Sequence, residues 1–180
     1  MDERRQRRLV ERIAESPYLE GLAELPIERL REMREECREG ENELSFERRL
    51  CQARIDILSG ELERRSGRGG DTDLVARLPE LLATEGSGRG SSLPSRAPDF
   101  SIPRNADVQR RRVEEIVGEQ TLSRLSTLAS EEIQGIIGSL GESERTVSAK
   151  RKQVQEVMDT VQREIVRRYT SGEADPASAI

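Results

Sequence analysis

From residue 27 onward, Ile27, Leu30, Arg34, Cys37, Glu41, Leu44, Arg48, Cys51, Ile55, Leu58 and Leu62 follow one another at alternating steps of three and four. That spacing marks the seam positions of a heptad repeat, and it constrains the chain more than any other feature. A helix carrying such a stripe must lay it against another helix. Three of the seam positions are charged: Arg34, Glu41 and Arg48. A carboxylate or guanidinium in a covered seam carries a desolvation cost that Leu in the same place does not. The charges in this seam therefore need a reason.

Punctuation along the chain gives the organisation. An N-terminal accessory segment, 1–25, holds two short apolar patterns (Leu9, Val10, Ile13; then Leu19, Leu22, Leu25) broken by Pro17. Pro26 opens a first long helix, 26–65, as proline does at the first helical position, and SGRGGDTD closes it. Residues 66–105 combine a short amphipathic segment, DLVARLPELLAT, with a linker rich in Gly, Ser and Pro that has too little apolar surface to offset its ordering entropy. Accessory helices follow over 106–129. Ser130, with Glu131 and Glu132 behind it, is the expected N-cap of a second long helix over 130–170, with Gly141 as a place where it can bend. The tail, 171–180, is expected to be disordered. The fold class read from this is all-α: an antiparallel two-helix coiled coil, or helical hairpin, with short accessory helices and a flexible linker.

Composition narrows the function classes. Charged residues make up 36% of the 180 and aromatics 2%, which favours long solvated helices over a large globular core. Acidic residues outnumber Lys plus Arg by 35 to 30, so the many arginines sit among carboxylates and do not form the one-signed field that a nucleic-acid backbone requires. The absence of His removes the usual acid-base catalyst and the commonest metal ligand. With no metal-ligand cluster and no phosphate-cradling Gly loop either, the residues argue against an enzyme. Cys37 and Cys51 lie two heptads apart on one helix, roughly 21 Å, too far to bridge, and read as small seam hydrophobes. No apolar run approaches the ~18 residues of a membrane span, and the charged N-terminus has no signal-peptide core, so the expected compartment is the cytoplasm.

The charged seam positions recur. Glu41, Ser45, Arg48, Gln52 and Asp56 on the first long helix return 103 positions later as Glu144, Ser148, Arg151, Gln155 and Asp159 on the second, both copies reading E-x3-S-x2-R-x3-Q-x3-D. The apolar frame returns in phase: Leu44, Cys51, Ile55, Leu58 and Leu62 become Val147, Val154, Met158, Val161 and Ile165, and Glu61, Arg64 and Arg65 become Glu164, Arg167 and Arg168. One polar seam residue commonly sets register or oligomer state, so a structural adaptor whose polar seam only fixes pairing is the main rival reading. Two five-residue constellations in one phase favour a ligand site. Antiparallel pairing with the motifs level sets Glu41 opposite Asp159, Ser45 opposite Gln155, Gln52 opposite Ser148 and Asp56 opposite Glu144, which suits a ligand that is itself two-fold and rich in donors and acceptors. Guanine offers N7 and O6 to an arginine fork and its N–H groups to a carboxylate, and phosphates take arginine and hydroxyl donors. A cyclic dinucleotide of guanine meets these terms, as do other symmetric dianions.

The doubled motif, together with LVARLPELLA between the helices and EIVRRY at the end of the second, resembles the RsiG family of actinobacterial anti-sigma factors. The resemblance implies a regulatory ligand, cyclic di-GMP, bound as a dimer on an antiparallel coiled coil, and a partner, the sporulation sigma factor WhiG, sequestered in that state. It further implies that one chain with two motifs supplies the whole site, takes two ligand molecules, and works as a monomer in a 1:1 complex with sigma. Arg48 and Arg151 would then meet guanine edges and phosphate. Asp56 and Asp159, with Glu41 and Glu144, would read guanine donors, and Ser45, Ser148, Gln52 and Gln155 would complete the hydrogen-bond shell. The apolar segments Leu74 to Leu82 and Val113 to Leu128 either grip sigma or pack on the hairpin.

Overall fold

The computed structural model describes residues 3–67, 102–104 and 106–174, and among them the only regular elements are helices. They are α1 (Glu3–Ala14), a 3-10 turn (Ser16–Leu19), α2 (Ile27–Arg65), α3 (Ala106–Ile116), α4 (Glu119–Ser123), a second 3-10 turn (Leu125–Thr127) and α5 (Ser130–Ser171). The amphipathic segment from Leu74 to Leu82, the body of the expected linker and the end of the tail lie outside the described residues.

Both long helices keep close to their expected bounds, and α5 continues through Gly141 without a break. Their N-caps are displaced by one residue from the expectation. The carbonyl of Pro26 accepts the first helical bond from Leu30 N–H at 3.2 Å, and that of Ala129 accepts from Ile133 N–H at 3.1 Å. Pro26 and Ala129 are thus the caps, and Ser130 is the first helical residue. Glu132 reaches back to the Ala129 N–H at 2.8 Å, the reciprocal half of a capping box, and this explains why an acidic third helical position follows a residue with no side-chain acceptor.

Pro26 and Ala129 are 103 positions apart, and the offset of the doubled motif holds across the whole architecture. QRRLVERI in α1 corresponds to QRRRVEEI in α3; Leu19, Leu22 and Leu25 correspond to Leu122, Leu125 and Leu128. The N-terminal segment is therefore no separate accessory. It is the first copy of a short-helix, turn, long-helix unit whose second copy begins with α3.

The described residues fall into two compact units. One takes the chain up to Ser45 together with α5 from Val147; the other takes α2 from Phe46 together with Ala106–Thr146. Within each, α2 and α5 run antiparallel. In the first unit Arg31 meets Tyr169 while Glu41 meets Gln155. In the second, Gln52 meets Glu144 while Arg65 reaches Leu128.

The seam divides into two rows. Leu30, Cys37, Leu44, Cys51 and Leu58 are buried, as are Ile133, Leu140, Val147, Val154 and Val161. The other row of α2, which holds Arg34, Glu41 and Arg48, is only half-buried. This row carries most of the core of each unit, at about 1.5–3 kcal/mol for each large apolar side chain buried, and in the first unit Met158 and Ile165 of the other row of α5 join it. The charged seam residues stand on its open edge, where a guanidinium keeps part of its water.

Short elements complete each core. In the first unit Ile13 packs with Cys37, Leu44, Val147, Val154 and Met158, while Leu19, Leu22 and Leu25 cover Leu30, Met33, Val161 and Ile165. In the second, Val113, Val117, Leu122, Leu125 and Leu128 cover Cys51, Leu58, Ile133 and Leu140. The segment Val113 to Leu128 packs on the long helices, as the second of its two readings has it.

An arginine clasp holds each leucine turn. Arg168, 8% exposed, donates to the carbonyls of Leu22, Ala23 and Leu25. Its counterpart Arg65 donates to Leu125 and Leu128 at 2.7 and 2.6 Å. Glu164 and Glu61 orient the two guanidinia, each at 2.8 Å. A turn's orphan carbonyls thereby find donors without water.

Candidate functional site

Of the ten motif residues, nine are half-buried and Asp159 is exposed. Helix geometry explains this accessibility, since steps of four and three along α2 and α5 keep each motif on one stripe, and that stripe coincides with the open row of the seam. The motif residues form two clusters, one in each unit.

In the first unit Glu41 is the hub. Its Oε1 accepts from Ser45 Oγ at 2.9 Å, from Arg151 Nη1 at 3.1 Å and from Gln155 Nε2 at 3.1 Å. The first bond lies within one motif copy; the other two join it to the second copy. The Nε of Arg151 is buried and makes no hydrogen bond. A buried donor without an acceptor is costly, and it marks where an incoming acceptor would gain most. Ser148 is half-buried on the same helix stripe, and Asp159, further along, keeps its carboxylate in water.

In the second unit Glu144 takes the hub's place. Arg48 Nη1 lies 3.6 Å from its Oε1, and Gln52 Nε2 donates to the same oxygen at 3.4 Å. Asp56 is half-buried, and desolvation pushes its carboxyl above the usual range. A carboxylate kept partly dry in this way is ready to accept N–H donors from a ligand.

These contacts differ in one respect from level pairing of the motifs. Each Glu meets the Arg and Gln of the other copy, and not its Asp. The helices pair about two turns away from that register: Glu41 faces Arg151 and Arg48 faces Glu144, seam position against seam position, and Gly40 lies beside Val154 in the same alignment. The two aspartates are thereby left out of the Glu-centred networks.

Neighbouring features were missed by sequence reasoning. Glu47, next to Arg48, has a side chain only 6% exposed and is paired with Arg112 of α3 at 3.0 Å. Tyr18 and Arg29 both donate to Glu36, at 2.9 and 3.2 Å, and Arg12 of α1 pairs with the same carboxylate at 2.9 Å. No motif marks these residues; only the repetition of Glu61 and Arg65 as Glu164 and Arg168 signalled the clasp.

Each cluster thus combines two carboxylates, one guanidinium, a hydroxyl or amide donor, and room at the surface. Among the described residues no helix is long and apolar enough to cross a membrane. The family model described as RsiG-like matches residues 16–82 and 119–180, which begin 103 positions apart, as the two architectural copies do. A search of curated proteins returned no match.

Proposed function

The chain belongs to the RsiG-like family, which points to an anti-sigma factor role, and on that premise we propose that it captures a sigma factor of the WhiG type when cyclic di-GMP is bound at the twin clusters. Two ligand molecules are taken up per chain, and a monomer then holds one sigma factor in the cytoplasm, silencing its sporulation programme. The role is regulatory and needs no catalysis.

The observation that carries this reading is the equivalence of the clusters. In each, a motif Glu holds the Arg and Gln of the other copy at the open edge of the seam. The balance of charge also speaks for guanine over a plain dianion. A bare dianion would meet two carboxylates for every guanidinium, whereas a guanine base brings N1–H and N2–H donors to those carboxylates and N7 and O6 acceptors to the arginine. Arg48 and Arg151 serve the acceptor edge and phosphate; Asp56, Asp159, Glu41 and Glu144 take the donors; Ser45, Ser148, Gln52 and Gln155 complete the shell.

The adaptor reading has its own support, since Glu41–Arg151 and Arg48–Glu144 tie α2 to α5 as a register device would. Calorimetric titration separates the two. The proposed function expects two cyclic di-GMP per chain and capture of sigma only with ligand present; no heat of binding, or sigma capture indifferent to the ligand, supports the adaptor.

A further inference from the structure

The two copies differ in how firmly their short helices are held. On α3, Val113, Val117 and Gln109 are buried, and Arg112 is ion-paired to the covered Glu47. Losing Arg112, itself 31% exposed, would strand a Glu47 carboxylate that is only 6% exposed, and a buried charge that loses its partner is destabilising. On α1 two of these holds are missing: Ala14, in the place of Val117, is exposed, and Leu9 and Lys150 stand in the places of Arg112 and Glu47. Ile13 is the buried anchor, with Leu9 and Val10 half-buried beside it. The Arg12–Glu36 pair adds a tether whose arginine is 54% exposed, and surface pairs of that kind contribute little.

The seat that α1 occupies borders the first cluster. A Cβ built on Gly40, the residue before Glu41, would lie 3.5 Å from Ile13 Cδ1 and 3.5 Å from Val10 Cγ2. A methyl group there would make ordinary contact with α1, so Gly40 marks where α1 lies against α2. Ile13 shares one buried cluster with Leu44 and Val154, which adjoin Ser45 and Gln155. The seat is therefore an apolar groove built from both motif-bearing helices, one helix wide, filled by this chain's own weakly tethered helix.

We propose that α1 is a displaceable strap: it covers this groove in the free chain and yields it to an amphipathic helix of the sigma factor, while α3 stays in place. The inference rests on the proposed sigma partner. α1 is an internal competitor, so the apparent affinity for sigma is reduced by the fraction of chains with the groove free.

The test measures sigma affinity at saturating cyclic di-GMP for the full chain and three variants. Ile13→Asp unseats α1 and leaves the groove open; with α1 seated in about nine chains of ten, sigma affinity rises about tenfold. Leu9→Arg with Lys150→Glu rebuilds on α1 the ion pair that holds α3, and sigma affinity falls. Gly40→Leu fills the groove itself, so it releases α1 and yet weakens sigma. Sigma affinity that is unchanged or lower in Ile13→Asp, or unchanged in the rebuilt pair, overturns the strap. Circular dichroism and ligand titration of the same variants separate a lost fold or lost ligand site from a lost strap. A wild-type chain that captures no sigma in any state overturns the proposed function, and the strap with it.

Discussion

Replacing both seam arginines, Arg48→Leu with Arg151→Leu, sets stability against binding. The two guanidinia are 32% and 31% exposed, and their Glu partners 21% and 16%. Each substitution removes one partly exposed ion pair, worth about 0.5–1 kcal/mol. A leucine in the same place covers about two-thirds of its side chain, a gain of about 1.3 kcal/mol from the ~2 kcal/mol of full burial. The pair of substitutions therefore nets about 1 kcal/mol in favour of the free fold, which at this chain length raises Tm by about 2–4 °C. Binding moves the other way. Hydrogen bonds to a charged group contribute about 1.5–3 kcal/mol each, so losing one guanidinium from each cluster costs cyclic di-GMP about 10² to 10⁴ in affinity. Differential scanning calorimetry without ligand and titration calorimetry with it measure both quantities. Normal ligand binding, or a Tm lowered by several degrees, would refute the reasoning, because the arginines would then be serving the fold.

Further expectations follow from coupling, from glycine and from pH. If cyclic di-GMP raises sigma affinity by a given factor, sigma raises cyclic di-GMP affinity by the same factor, and titrations in both orders must agree. On α5, a Cβ at Gly135, Gly138 or Gly141 would meet nothing within 4 Å, so each Gly→Ala change should stabilise the free chain by up to about 1 kcal/mol, read as a higher Tm. Hydrogen bonds from Arg64 and Arg65 hold the Glu61 carboxyl down to about 2, and those from Arg167 and Arg168 do the same for Glu164. Folded values below the ordinary 4.5 mean that this stability is fully present above that pH and is lost as the pH falls toward 2. Urea melts should show a decline of about 2 kcal/mol over that window, discounted for solvent screening, and Glu61→Gln should remove about half of it.

The long helices were legible because a heptad stripe and its breakers are local signals: the bounds of α2 and α5 lie within a residue or so of those read from Pro26, Ser130 and the Gly-rich stop. The doubled motif was legible for the same reason. Its hydrogen-bond partners were not, since they follow from the register in which the apolar rows pair, Glu41 against Arg151 and Arg48 against Glu144, and the motifs alone do not fix that register. The full extent of the duplication was present in the sequence as Gln6, Arg7, Arg8, Val10, Glu11 and Ile13 returning at Gln109, Arg110, Arg111, Val113, Glu114 and Ile116. In a chain so rich in Arg and Glu, a charged stretch of eight residues is easily taken for a solvated helix face. The covered pair Glu47–Arg112 was out of reach, because its counterparts at the other copy are Lys150 and Leu9 and the repeat offers no guide.

The antiparallel pairing of α2 with α5 has a consequence for synthesis on the ribosome. Within each unit the buried row of α2 is covered by residues roughly a hundred positions further along the chain, as when Glu41 waits for Arg151 or Arg48 for Glu144. At about 5–20 residues per second, the first motif helix is exposed for roughly 5–20 s before its partner is made. During that interval Cys51 and Leu58 of this apolar stripe stand uncovered, and Leu30, Cys37 and Leu44 have only Ile13 and the leucines of the first turn against them. A second nascent chain on the same message presents the same stripe, in the same phase as the one still to come. Dense translation of one transcript therefore favours pairing between neighbouring chains, and sparse translation favours closure within one.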